Sequence, residues 1–234
     1  MSGLTARYIL SPVEFDVLWA GLQLGPTPVV LRLPSPGRTH AERRHIEADA
    51  WAALRHRGLT GPQGPQTGLV QLLRVLAGAD RRLEVRAWST SAVRALAAGS
   101  GDTAALAVHS DDAVAVGPCA SLSSAATAVL PPLAPGSGRA ANVPTASLVA
   151  ALRSASGAGL RADLVDHGAT AEEAGPLTRM LRGVRWRAQV GAVVADRWGS
   201  PRRCGQVLGI LDGPRGRYLT TRSRSDDGAD WTTG

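Results

Sequence analysis

Apolar positions recur along this chain with two different periods, and the switches between them mark out its elements. Ser11-Pro12-Val13-Glu14 has the form of a capping box with proline at the first helical position. It opens a short helix carrying Val13, Val17, Leu18 and Leu22, which Gly21 and Gly25-Pro26 end. Pro28 to Leu33 reads as a first strand, followed by a turn at Pro34-Ser35-Pro36-Gly37. Thr39-His40-Ala41-Glu42 is a second capping box. Behind it Ile46, Ala50, Ala53 and Leu54 share a helical face that stops at Gly58, with Leu59 placed to cover the stop. After a Gly/Pro/Gln break from Gly61 to Gln66, Leu69, Leu72, Leu73 and Leu76 mark another amphipathic helix.

The period then falls to two. Leu83 to Trp88, Thr103 to His109 and Ala113 to Gly117 alternate as strands, the last two joined at Asp111-Asp112. Alanine-rich helices follow at Leu122 to Leu130, Thr145 to Ala155 and Ala171 to Leu181. The third of these sits behind the box Thr170-Ala171-Glu172-Glu173, and Pro131-Pro132, Pro135 to Gly138 and Gly157 to Gly159 separate the segments. A second meander closes the chain: Val190 to Ala195, Cys204 to Ile210 and the strand ending Gly216-Arg217-Tyr218-Leu219, broken by Asp196 to Pro201 and by Asp212-Gly213-Pro214. Helices then a meander, twice over, predict an α/β (α+β) chain with one mostly antiparallel sheet built from two quasi-two-fold related halves. No charged low-complexity linker divides them, so residues 1–234 are expected to form one domain, with halves 1–120 and 121–234.

Composition narrows the class. In 234 residues, 44% hydrophobic content supports a sizeable buried core. No run of about 18 apolar residues occurs, and Met1 to Arg7 lacks an apolar segment with a cleavage site, so a soluble cytoplasmic protein without membrane insertion is expected. Cys119 and Cys204 lack metal-ligand spacing and are expected to be reduced and structural. All 26 basic residues are arginine, and eleven arginines against five aspartates from Pro176 onward place +6 of the formal +7 there. A basic region of that size suits an acidic partner or nucleic acid, or is simply a solvated face.

Chemistry-bearing motifs are missing. The chain has no G-x-G-x-x-G, no G-x-x-x-x-G-K and no G-x-S-x-G, which removes the most specific support for nucleotide binding and hydrolysis. His40 and His45 are five apart and do not share a helical face as a metal-binding pair would. Asp163, Asp166 and His167 lack a nucleophile, and His109 beside Asp111 and Asp112 reads as a strand end with its turn. No enzyme activity, metal or cofactor is expected.

An interface is the better prospect. Alternation places Glu84, Arg86 and Trp88 on one face of their strand, and Arg185, Arg187 and Gln189 on one face of another; arginine and tryptophan are the side chains enriched at protein contacts. Ser89 to Asp102 is too long for a tight hairpin and reads as a loop offering Val93, Arg94 and Leu96. Candidate partner-binding residues are therefore Arg86, Trp88, Val93, Arg94, Leu96, Arg185 and Arg187.

The C-terminal meander with Gly213-Pro214-Arg215-Gly216-Arg217-Tyr218-Leu219 and a late tryptophan resembles the C-terminus of the EspG family, cytosolic chaperones of actinobacterial type VII secretion. Trp19-Ala20-Gly21-Leu22 before Pro28-Val29-Val30-Leu31, and Arg57-Gly58-Leu59 before a Gly-rich break, extend the resemblance over nearly the whole chain. It implies a central, mostly antiparallel sheet flanked by a helical bundle from each half. It also implies a PPE-type or PE–PPE helical client held by a sheet loop, the sheet face and the C-terminal bundle, without ATP. The alternative from another class is a basic nucleic-acid-binding protein, against which stand an aromatic content of 4% and the lack of a helix-turn-helix or RNP-like signature.

Overall fold

The computed structural model describes residues 7–154, 159–225 and 228–234. The strands are β1 (Tyr8–Leu10), β2 (Thr60–Gly61), β3 (Gly64–Pro65), β4 (Arg81–Trp88), β5 (Ala92–Ser100), β6 (Thr103–Ser110), β7 (Ala113–Pro118), β8 (Asn142–Pro144), β9 (Trp186–Ala195), β10 (Pro201–Gly213), β11 (Gly216–Arg224) and β12 (Asp230–Thr233). The helices are α1 (Pro12–Gly21), α2 (His40–His56), α3 (Thr67–Gly78), α4 (Leu122–Ala128), α5 (Thr145–Ser154), α6 (Leu160–Asp166) and α7 (Ala171–Leu181). Ten strands form one sheet in the order β1-β7-β6-β5-β4-β9-β10-β11-β12-β8, and β2 with β3 makes a separate small hairpin. The order has a two-fold logic: each half sends its earliest strand, β1 or β8, to an edge beside its last, β7 or β12. This is the α+β, antiparallel-rich fold expected from the alternation of helices and meanders.

The chain divides into two compact units, one drawn from residues up to Arg86, Thr90–Pro131 and Ala192–Arg203, the other from Ala87–Ser89, Pro132–Gly191 and Cys204–Gly234. In the first, the box at α1 closes in both directions: Glu14 N donates to Ser11 Oγ at 3.1 Å and Ser11 N to Glu14 Oε2 at 2.7 Å. Glu14 is buried, and its carboxylate also receives Arg57 Nη1 at 2.7 Å. Leu69, Leu72, Leu73 and Leu76 of α3 pack with Leu18, Leu54 and Leu96 in one apolar core.

Two expectations fail in this unit. Val29–Leu31 is a turn of 3₁₀ helix, with Leu31 N donating to Pro28 O at 2.8 Å, and it takes no place in the sheet. Prolines at 26, 28 and 34 lack the N–H groups a ladder uses, and the turn instead points Val30 and Leu31 into the core while Val29 stays exposed. The supposed loop from Ser89 to Asp102 is mainly β5. It pairs with β6 from Val93↔Ser110 to Ser100↔Thr103, and Gly101 at φ 55° makes the two-residue turn. Ala95 to Gly99 are all buried, so a run of small residues covered on both faces replaces the alternation of a half-exposed strand.

In the second unit α5, α6 and α7 pack Ala151, Leu164, Ala174 and Leu177 into a second core. The predicted helix from Thr145 is present to Ser154; Ala155 and the expected break at Gly157-Ala158 lie outside the described residues. At α7 only half of the capping box forms. Thr170 Oγ1 accepts from Glu173 N at 3.3 Å, while the Glu173 carboxylate accepts Asn142 N at 2.9 Å and so anchors the start of β8. The second meander has longer strands than its apolar runs indicate, and β12, carrying Trp231, continues it as a fourth.

Candidate partner-binding groove

Strand alternation builds the floor of a groove in the second unit. Along β9 Arg187 and Gln189 are exposed while Ala188 between them is buried, and Arg185, just before the strand, is exposed as well. Along β10 Gly205, Val207, Gly209, Leu211 and Gly213 fall on one side, and the register Gly209↔Thr220 puts Thr220 and Arg222 of β11 beside them. Three glycines in that row leave the strand without side chains where neighbouring strands carry them. Thr220 leans into the space at Gly209: a Cβ there would meet Thr220 Oγ1 at 2.2 Å, which excludes a larger residue.

Helices supply the wall. Leu177 and Leu181 of α7, four residues apart, and Leu148 of α5 stand over Val207 and Leu211 and enclose a cavity of about 470 Å³. A second space of about 360 Å³ shares Gln189, Gly209, Leu211 and Thr220 with the first and ends at Trp88 and Arg187. The two are therefore one trough, in which Leu148, Leu177, Leu181, Val207 and Leu211 form an apolar stretch beside the polar Gln189, Thr220, Thr221 and Thr232, with Trp88 37% exposed at one end. Among the described residues its lining has two cations, Arg187 and Arg222, and no carboxylate.

Of the seven residues predicted from the sequence, Trp88 and Arg187 come together in this trough. Arg185 is exposed two positions before Arg187, where its main-chain N–H donates to Asp212 O at 2.9 Å. Arg86 and Val93 belong to the first unit and are half-buried; Arg94, also there, is exposed and donates from Nη1 to Arg32 O at 3.1 Å. Leu96 is a core residue with no exposed surface, a correction that follows from β5 being a central strand. Glu84, expected on the polar face of β4, is buried and paired with Arg203 at 2.6 Å. Reasoning from the sequence overlooked Leu148, Leu177, Leu181 and the β10 row. The signal was present as Gly-x-Val-x-Gly-x-Leu-x-Gly over 205–213, a strand with small residues at every second place on one face.

The residues with chemical potential are dispersed. Among the described residues no group of three or more His, Cys, Asp or Glu side chains is gathered as a metal site. His167 Nδ1 lies 2.8 Å from the Asp163 main-chain oxygen, at the end of α6. Burial pushes the Cys119 thiol above its ordinary pKa, which keeps it protonated, and Cys204 is exposed without a bonded partner cysteine. Among the described residues, too, no helix is long and apolar enough to cross a membrane.

Known proteins offer two points of comparison. A family model described as the EspG family matches residues 11–234. Among solved structures, the Mycobacterium tuberculosis type VII secretion system chaperone EspG5 in complex with the PE25-PPE41 dimer aligns with a TM-score of 0.72 at 17% identity, over 97% of this chain and 89% of that chain. No curated protein matches significantly. With the family's model matching from residue 11 to residue 234, through both meanders and the helices between them, this chain belongs to the EspG family.

Proposed function

We propose that this chain is a cytoplasmic chaperone of type VII secretion that holds the apolar tip of a PPE-type helical substrate, presented as a PE–PPE pair, and keeps it soluble until export. The observation that carries this is the trough of the second unit, in which Leu148, Leu177 and Leu181 stand with Val207 and Leu211 over a floor opened by Gly205 and Gly209. A helix tip exposes apolar side chains that water disfavours, and a channel with an apolar wall and a floor opened by glycines can cover them reversibly. The structure of EspG5 was solved with a PE25-PPE41 dimer bound, which supports the same class of client here. Trp88, Arg185 and Arg187 contribute from the end of the trough, and Arg86, Val93 and Arg94 are a separate contact surface on the first unit. Covering apolar surface requires no bond to be made or broken, so the reading is non-enzymatic and needs no cofactor or nucleotide.

The test is pairwise co-expression of the chain with each PE–PPE pair encoded by the same genome, followed by titration calorimetry on any pair that co-purifies. At least one pair should bind, and Val207→Asp, which places a carboxylate in the apolar channel at an exposed position, should abolish capture in a folded protein. Failure of every pair to bind, or binding unaffected by Val207→Asp, overturns the proposal.

A further inference from the structure

The trough carries an electrostatic instruction as well as an apolar one. Arg187 stands at its Trp88 end on β9, and Arg222 on β11; the strands flank β10, so their rows are roughly 10 Å apart. Among the described residues neither guanidinium has an ion pair or hydrogen bond, and no carboxylate lines the channel. Some other arginines are paired, among them Arg203 with Glu84, Arg217 with Asp212, Arg202 with Asp196 and Arg139 with Glu172; what sets Arg187 and Arg222 apart is that they line the trough. Two unpaired cations beside a partly desolvating apolar channel attract carboxylates and disfavour a cationic segment.

We infer that Arg187 and Arg222 are specificity determinants which select client tips carrying an Asp or Glu next to the buried apolar segment. The inference rests on the trough being the client site. The apolar channel supplies most of the affinity, and the arginines decide which clients are accepted, because a tip with lysine in the same place meets two like charges as it loses water.

A double-mutant cycle on a captured PE–PPE pair tests this. Arg187→Gln and Arg222→Gln should each weaken binding by about tenfold, with the larger loss at low salt. Client Asp and Glu residues flanking the apolar tip are replaced singly by Asn or Gln. At least one such replacement should weaken binding by a similar factor and have little further effect on the chaperone variant lacking its arginine partner. Additive effects throughout, or full affinity in the Arg187→Gln/Arg222→Gln double variant, overturn the inference. In either case loss of binding by Val207→Asp leaves the trough standing as the client site; binding that survives Val207→Asp removes both.

Discussion

Asp212 and Arg217 face one another across the β10–β11 hairpin, and the guanidinium forks the carboxylate, Nε to Oδ1 at 2.8 Å and Nη2 to Oδ2 at 2.7 Å. Asp212 is buried, and its main-chain oxygen accepts Arg185 N, so one residue ties the hairpin to the start of β9. The trough depends on that tie, since β9 and β10 supply its floor. Arg217 also lies over the Trp186 ring, 6.0 Å from its centroid.

Removing one member of a buried ion pair leaves the other charge stranded. Asp212→Ala should therefore lower unfolding stability by about 3 kcal/mol, read as a shift of the urea midpoint with unchanged slope. A loss below about 1 kcal/mol would mean that the pair behaves as a solvated surface contact.

The buried Glu14 carboxylate accepts three hydrogen bonds from two donor atoms: one from Ser11 N, and one on each oxygen from Arg57 Nη1. Arg57 also donates through Nη2 to the Ile9 carbonyl, which joins β1, α1 and the end of α2. Glu14→Ala should destabilise the first unit by about 3 kcal/mol, more than the roughly 1 kcal/mol of a lost helix cap alone. Ser11→Ala, which removes only the cap, is the control; equal losses for the two variants would contradict the role given to Arg57.

At the trough, truncating a central aromatic anchor commonly costs about 2 kcal/mol, so Trp88→Ala should weaken client binding by roughly thirtyfold. Arg94→Ala should have a smaller effect, since its guanidinium is engaged with the Arg32 carbonyl. Calorimetry on folded variants checks both. Should the chain instead bind duplex DNA with an affinity that falls steeply with salt while ignoring Trp88→Ala, the nucleic-acid alternative would replace the chaperone reading.

His109 gives a pH dependence with a definite sign. Burial holds its imidazole below the ordinary histidine pKa, and Arg94, its cross-strand partner, acts in the same direction, against weaker opposing contributions from Asp111 and Asp112. Its Nδ1 is buried without a hydrogen-bond partner. The unfolded chain takes up a proton near pH 6.5, before the folded chain does. The stability contribution is therefore complete above that value, is lost as pH falls from it toward the lowered native pKa, and changes no further below. Urea midpoints at pH 7.5 and 5.5 should differ more for the natural chain than for His109→Phe. Arg94→Ala should raise the His109 pKa, followed through its ring proton shifts by NMR.

The hairpin turn at Asp196 responds in the carboxylate range. Asp196 Oδ1 accepts Ser200 N and Trp198 N, each at 2.9 Å, and Arg202 Nε lies 3.2 Å from Oδ2; these bonds hold the carboxyl below its usual pKa. The order they impose is present above the unfolded value and is lost as pH falls through the lowered native one. The protection of the Trp198 and Ser200 amides, measured against their intrinsic exchange rates at each pH, should fall only in that acid range, and Asp196→Asn should remove it at neutral pH as well.

Local chemistry was enough for much of this fold. The boxes at Ser11 and Thr39, the leucines of α3, the turn at Asp111-Asp112 and the start of α7 at Ala171 follow from rules that act within a few residues, and they stand where those rules place them. So does the exposure of Arg185, Arg187 and Gln189, because alternation is a property of the strand itself. Remote partners decided the rest. β1 exists because Tyr8 to Leu10 pair with Val114 to Val116, and β8 because Asn142 to Pro144 pair with β12, neither three-residue strand having an autonomous signal. Ala95 to Gly99 became a core strand once both faces were covered, and the same packing took Leu96 out of reach of any partner. Gly205 and Gly209 became part of the floor of a groove only when Thr220, Leu177 and Leu181 were brought beside them, since a groove is defined by the walls that surround an absence of side chains.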